Sequence, residues 1–347
     1  MQKKNNPRAE FSSGLGTLAA TVGSAVGLGN IWKFPSLTGA NGGAAFLIIY
    51  IVCTLLVGLP VMIAELSLGR KARVNAFHTF EKLSPGSRHW RLAGLAGVLS
   101  AFFIMAFYTE VAGWVFAYIF KSLTGSVITT DPKVASEQFV SLISSPWEAL
   151  FWQWMVFIVI GFIIILGVSK GIEATTKKLM PVLFVMLIIL CVRGLTLENG
   201  SEGLAFLFNP DFGKVTGVSI LTAMGLSFFK LSTGMGTMIT YGSYFSDTQN
   251  IPATAFRVML ADLMVSLLAG IAIFPAVFSF GFKPDAGASL LFITVPAVFA
   301  SLPFGQVFVV IFFILAAIAA TGAMISLLEV PVVFIHEKLQ ISRAKST

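Results

Sequence analysis

Hydrophobic segments follow one another nearly end to end along this chain, separated by short or polar connections. A helix that crosses a bilayer needs about 20 apolar residues. Eight spans are predicted, at about 14–38, 44–68, 93–120, 150–168, 179–196, 217–240, 254–282 and 305–335. The third, seventh and eighth are long enough to tilt or protrude. Residues 121–149 and 197–216 read as ordinary external loops, with Asp131, Pro132, Asn209, Pro210 and Asp211 as turn formers. Segment 283–303, which carries Pro284, Pro296 and Pro303, reads as a helical lid on the outer face rather than a further span.

Composition supports this pattern. Of 347 residues, 56% are hydrophobic and 11% charged, against roughly 25% charged in soluble domains. Lipid-facing surface must be as apolar as the interior, so the whole of 1–347 is read as one transmembrane domain. A net charge of +7 raises nucleic acid as a partner, but Lys and Arg lie in the loops between apolar spans. With the N-terminus inside, the inner segments hold Lys3, Lys4 and Arg8, then Arg70, Lys71, Arg73, Lys82, Arg88 and Arg91. Lys170, Lys177, Lys178, Arg257, Lys338, Arg343 and Lys345 complete them. The outer segments hold mainly Lys121, Lys133, Lys214 and Lys283. This asymmetry follows the positive-inside rule and places the chain in the cell membrane with both termini cytoplasmic. The basic start is no signal peptide, because its apolar stretch is long, glycine-rich and followed at once by a second span. Cys53 and Cys191 lie in apolar stretches and read as small core residues. His78, His89 and His336 show no metal-ligand spacing, and neither an ATPase motif nor a soluble-enzyme constellation occurs.

Two spans are poor helices. The first contains Gly23, Gly27 and Gly29 with Ser24 and Asn30, followed by Lys33 and Pro35. The sixth contains Gly225, Gly234 and Gly236 with Ser227, Lys230, Ser232 and Thr233. Such composition lowers helix propensity at mid-membrane depth, although small residues also serve close helix contacts. An unwound span exposes carbonyls and half-helix ends that hold cations and carboxylates, and paired interrupted spans point to a transporter site. Lys230 in span six and Asp262 in span seven are intramembrane charges, which are functional candidates. At about 4 Å and an effective dielectric of about 20 they attract by roughly 4 kcal/mol. The alternative is that Lys230 reaches a water-filled cavity by itself. Glu65 reads as structural, and Glu110 has no partner legible in the sequence.

At these motifs the chain resembles the neurotransmitter:sodium symporter family, in particular its bacterial amino-acid transporters. The residues concerned are Gly23 to Pro35, Asn41-Gly42-Gly43-Ala44, Gly58-Leu59-Pro60, Glu65 to Arg70, Tyr241-Gly242-Ser243-Tyr244 and Ser326-Leu327-Leu328-Glu329. The resemblance implies an all-α integral membrane fold of inverted five-helix repeats, with helices 1 and 6 unwound. The first repeat would be 11–200, the incomplete second 217–336, and the cytoplasmic tail 337–347. Family members have eleven or twelve spans, so the eight read here imply a product truncated after the eighth span, or a fragment.

Carried over by position, the resemblance implies an amino-acid pocket. Backbone around Ala25, Leu28 and Gly29, with the Tyr108 hydroxyl, would meet the substrate carboxylate. Ile104, Phe229, Ser232, Met235 and Leu327 would line the side-chain pocket and favour an apolar or aromatic substrate. Arg8 and Glu337 match a cytoplasmic gate pair, Phe11 a gating aromatic, and Lys33 the basic position of the outer gate. At the first sodium site the Ala25 carbonyl and Asn30 side chain are retained, with Asp262, but Lys230 stands where a hydroxyl ligand is expected. Its ammonium would replace the sodium beside Asp262. At the second, the Gly23 and Val26 carbonyls and Ala319 remain, but the two hydroxyl ligands become Gly322 and Ala323. Thr321 would substitute only if helix 8 shifts by one residue. The chloride site keeps Tyr50 and Ser266 but has Leu226 for a glutamine. The leading expectation is therefore a secondary amino-acid transporter with altered or weakened sodium sites, needing no cofactor besides the ion in question. The alternatives are an ordinary sodium-coupled symporter, and a non-transporting binding or sensor protein or inactive fragment.

Overall fold

The computed structural model describes residues 8–87, 89–197, 200–280 and 290–347. Lys3, Lys4, Arg88, Lys283 and Pro284 lie outside them. The regular elements among the described residues are helices: α1 (Gly14–Ala25), α2 (Gly29–Ala40), α3 (Ala44–Ala72), α4 (Ala76–Leu83) and α5 (Trp90–Leu123). After these come α6 (Pro132–Ser144), α7 (Pro146–Ile165), α8 (Val168–Leu195), α9 (Gly200–Phe208) and α10 (Gly217–Lys230). The last are α11 (Thr237–Gly242), α12 (Ile251–Ser279), α13 (Leu290–Ala300), α14 (Gly305–Leu339) and α15 (Arg343–Ser346).

Among the described residues, six helices are long and apolar enough to cross a membrane, and the bent pair α1–α2 makes a seventh span. The pair turns by 47° at the Val26–Leu28 break, where Val26 is extended (φ −82°, ψ 101°). The span expected at 217–240 is divided into α10 and α11. Between them Ser232, Gly234 and Gly236 take positive φ of 53°, 80° and 74°. A left-handed residue cannot continue a right-handed helix, and glycine adopts that region without a Cβ penalty. Both interruptions therefore fall where the glycine pattern places them.

The connections depart from expectation. The presumed ordinary loops contain α6 and α9, and Asp131 caps α6 by accepting from the Lys133 N–H at 2.8 Å. Their polar ends concealed short amphipathic helices. The described part of the expected outer lid is helical as α13, but it is not merely laid on the surface. Leu290, Leu291 and Phe292 are buried, with Phe292 stacked on Phe139 of α6 at 4.8 Å.

Burial separates a central helix from peripheral ones. The most apolar stretch of α14 is 72% buried within the protein, whereas that of α7 is 28% buried and turns mostly outward. The N-terminal start of α1 is pinned to α8, because Glu173 accepts from the Ser12 N–H and the Ser12 hydroxyl, each at 2.6 Å. Helices α3 and α11 cross almost backbone to backbone. A Cβ on Gly69 would overlap the Ile239 carbonyl, and one on Gly242 would overlap the Leu66 carbonyl. Small residues at membrane helix crossings permit this approach.

The Gly69→Ala variant is expected to lose about 1–3 kcal/mol by overpacking, measured as a lower melting temperature in detergent. Gly225→Ala, where no heavy atom lies within 4 Å of the added carbon, should melt close to the unmodified protein. Equal melting of the two variants would contradict the crossing.

Candidate functional site

The two interruptions face each other. Span one contributes Ser24, Ala25, Gly27 and Gly29, and span six contributes Phe229, Lys230, Ser232 and Met235. Ile104 and Tyr108 of α5 and Ala323 and Leu327 of α14 close a small cavity between them. Eight of the nine residues expected around a substrate thus share one lining: Ala25, Gly29, Ile104, Tyr108, Phe229, Ser232, Met235 and Leu327. The ninth, Leu28, donates its N–H to the Tyr108 hydroxyl at 2.8 Å. The cavity holds only about 20 Å³, room for about one water, so its walls must part to admit an amino acid.

The freed polar groups satisfy one another. Ser232 donates to the Ser24 carbonyl at 2.8 Å, and the Ser24 hydroxyl donates to Ser326 at 2.8 Å. The Gly27 N–H donates to Asn30 Oδ1 at 3.1 Å. Ser24 and Ser326 were not among the expected site residues, and Ala323 was considered only at the second ion position. Their contacts join segments about 300 residues apart, which no local pattern reveals.

Lys230 and Asp262 meet. The Lys230 ammonium lies 3.2 Å from Asp262 Oδ2, both side chains wholly buried, and it also bonds the Ser266 hydroxyl. Its Nζ lies 5.0 Å from the Phe34 ring centre and 4.8 Å from that of Tyr50, where aromatic faces favour a cation. Asp262 accepts further from the Tyr50 hydroxyl at 2.9 Å and from the Asn30 amide at 2.8 Å. The alternative, that Lys230 reaches a water-filled cavity alone, does not hold beside this pair. Asn30 turns its amide nitrogen to Asp262 and its oxygen, the atom expected to hold sodium, to the Gly27 N–H. Tyr50 and Ser266, read from the sequence as chloride-site remnants, are partners of the ion pair.

At the second expected ion position, a Cβ on Gly322 would overlap the Gly23 carbonyl, so α14 touches α1 through backbone. Ala319 is fully buried on the same helix, and Val26 is fully buried at the break. Thr321 donates its hydroxyl hydrogen to the Ala317 carbonyl of its own helix, 2.8 Å away.

A second polar cluster lies beside the first turn of α1. Arg8 pairs with Glu337 and donates to Ser243 at 2.7 Å and 3.1 Å. Glu337 also accepts from the Asn75 backbone and side chain at 2.9 and 2.7 Å. Arg343 pairs with the buried Glu329, which accepts from the Tyr244 hydroxyl at 2.5 Å. Phe11 packs edge-on to Tyr241 at 5.7 Å and Tyr244 at 5.8 Å. Lys33 stays outside this cluster, its Nζ 4.8 Å from the Trp32 ring centre. Glu110, unpartnered in the sequence reading, accepts from the Trp114 indole at 2.9 Å.

Facing interruptions in two membrane spans, with a pocket between them, define a secondary transporter of the broken-helix class. The chain matches the model of the sodium:neurotransmitter symporter family over residues 8–138 and 141–347, and it belongs to that family. It is 41% identical over 336 residues to an uncharacterized sodium-dependent transporter of Bacillus subtilis (strain 168), covering 97% of this chain and 74% of the relative. An uncharacterized sodium-dependent transporter of Haemophilus influenzae is 36% identical, covering 100% of this chain and 78% of the relative. The crystal structure of MhsT in complex with L-phenylalanine superposes with a TM-score of 0.92 at 43% identity, covering 98% of this chain and 77% of that one. The fold is therefore that of a multi-pass membrane transporter, not an enzyme.

Removing one partner of a buried ion pair costs about 3–5 kcal/mol, because the other charge is stranded. Lys230→Met is expected to show that loss in thermal melts. The double variant Lys230→Met, Asp262→Asn should melt above Lys230→Met alone, and strict additivity of the two single changes would refute the coupling.

Proposed function

We propose that the protein transports apolar or aromatic amino acids and that the Lys230 ammonium takes the place of the first sodium ion. One observation carries the reading: a wholly buried ammonium 3.2 Å from the Asp262 carboxylate, at the position where the resemblance expects a hydroxyl ligand. An ammonium has donors and no acceptor lone pair, so it cannot coordinate a cation. It can instead satisfy the carboxylate that a sodium ion would otherwise neutralise. The glycine and alanine at 322 and 323 offer no side-chain oxygen to the Gly23 and Val26 carbonyls, which weakens the second ion position as well.

The substrate class rests on the lining. Ile104, Phe229, Met235 and Leu327 are apolar, while the Leu28 N–H and Tyr108 hydroxyl present polar groups suited to a carboxylate. The structural relative in complex with L-phenylalanine supports an amino acid of that type. Arg8, Phe11 and Glu337 would close the cytoplasmic end and Lys33 would stand towards the outer one. This orientation has both termini inside and follows the basic residues of the loops. A second reading, ordinary sodium-coupled symport, is favoured by the two bacterial relatives, both of which are described as sodium-dependent transporters.

In proteoliposomes, uptake of labelled phenylalanine is expected to persist when sodium is replaced by choline. Strict sodium dependence would overturn the proposed substitution, while binding without uptake would indicate a sensor. Lys230→Thr combined with Asp262→Asn should make uptake respond to sodium at the first site. For orientation, a cysteine at Ser342 in a background lacking Cys53 and Cys191 should react with an impermeant thiol reagent only after cells are opened. Labelling of intact cells would reverse the topology.

A further inference from the structure

Glu65 sits in the C-terminal part of α3, is 9% exposed, and uses only half of its carboxylate. Oε1 accepts the Gly234 N–H at 2.7 Å, in the left-handed stretch that interrupts span six. Oε2 is buried and has no hydrogen-bond partner among the described residues. Beside Glu65 lies a cavity of about 190 Å³, lined also by Ala76 and Phe80 of α4, Gly94 and Gly97 of α5, and Gly234 and Gly236. Among the described residues, Glu65 forms no salt bridge, and no other lining side chain is ionisable.

A buried charge is strongly disfavoured unless it is paired or neutralised. The charged and titratable groups on the surrounding elements are all engaged elsewhere or turned outward. On α3 itself, Arg70 donates to the Gln249 carbonyl, and Lys71 is exposed. On α4, His78 contacts the Asn75 amide at 2.7 Å, and burial holds its imidazole below the usual histidine range. Glu81 pairs with Arg91 of α5, and Lys82 donates to the Ala72 carbonyl at 2.9 Å. Lys230 on α10 and Asp262 on α12 hold each other, Arg257 on α12 is exposed, and Tyr241 and Tyr244 face Phe11. A metal cation is a poor occupant, because the lining side chains supply no oxygen besides this carboxylate and hard cations take six or more. A purely structural bond to the Gly234 N–H would be served as well by glutamine.

We propose that Glu65 is a proton-binding site that couples protonation to the interruption of span six. The proton enters through the cavity beside α4 and binds Oε2, converting carboxylate to carboxylic acid. Neutral Oε1 is the weaker acceptor, so the bound proton loosens the grip on Gly234, and its release tightens that grip. The proposal rests on the transporter reading above for its physiological use, but the site itself can be tested without substrate.

The test uses the full chain. An infrared pH titration of the substrate-free protein should show a carboxylic-acid carbonyl band that Glu65→Gln removes. In proteoliposomes loaded with a pH dye, phenylalanine uptake by the unmodified protein should move protons, and Glu65→Gln should lose that movement. The same band and the same proton movement in Glu65→Gln would overturn the proposal. Should Glu65→Gln fail to fold, Glu65→Asp must shift the titration of the band, and an unshifted titration would equally refute it. If the band titrates as expected while phenylalanine neither binds nor moves, the proton site stands and the amino-acid reading falls.

Discussion

Hydrocarbon offers no hydrogen bonds, so every backbone group released when a membrane helix breaks must find its partner inside the protein. This constraint organises the site. The break in span one frees the N–H groups of Gly27 and Leu28, which go to Asn30 and Tyr108. It also frees the Ser24 carbonyl, which goes to Ser232 in the break of span six. The Gly234 N–H goes to Glu65. Each interruption is thus held open by groups from the other or from a flanking helix, and the two have to face each other. An amino-acid zwitterion carries a carboxylate and an ammonium, which can exchange for such internal bonds one by one. The cavity can therefore be nearly closed without substrate and still be organised to receive it.

The Lys230–Asp262 pair is a different solution to the same constraint. A free ion neutralising Asp262 would come and go with its concentration on either side of the membrane. A tethered ammonium is present in every conformation. A ligand shifts a conformational equilibrium only by its differential affinity for the two states, and a covalently fixed cation has no concentration gradient to contribute. If Lys230 fills the first ion position, that position adds local stability and shape but no driving force.

Much of this was legible in the residues. Glycine spacing around Gly23–Gly29 and Gly225–Gly236 located both breaks, because low helix propensity, and in span six positive φ, are local properties. Lys230 and Asp262 could be paired because two lone charges in an apolar setting have few alternatives. The pair's other partners were not accessible in this way. Tyr50 lies 212 positions from Asp262, and the orientation of the Asn30 amide depends on which of its neighbours donates. The helices α6 and α9 were missed because turn-forming residues at their ends outweighed short apolar faces. Glu65 looked structural because it stands near the basic end of its span, and its partner, the Gly234 N–H, is presented by the unwinding of a distant segment rather than by any sequence pattern.

Asp262 also constrains how the molecule can move. Its carboxylate gathers Asn30 of α2, Tyr50 of α3 and Lys230 of α10 onto α12. Separating the pair would strand two charges in a dry interior, a cost of several kcal/mol. These four helices are therefore bound to move as a block. The Arg8–Glu337 pair has side chains 15% and 22% exposed, so water can replace each partner at modest cost, as at other solvated ion pairs. A conformational change that opens one end of the pocket will break bonds of the second kind and preserve those of the first. Glu65, on α3, lies within the block but grips Gly234 at its edge. A charge change there acts on the joint between the part that moves together and the broken segment that must yield.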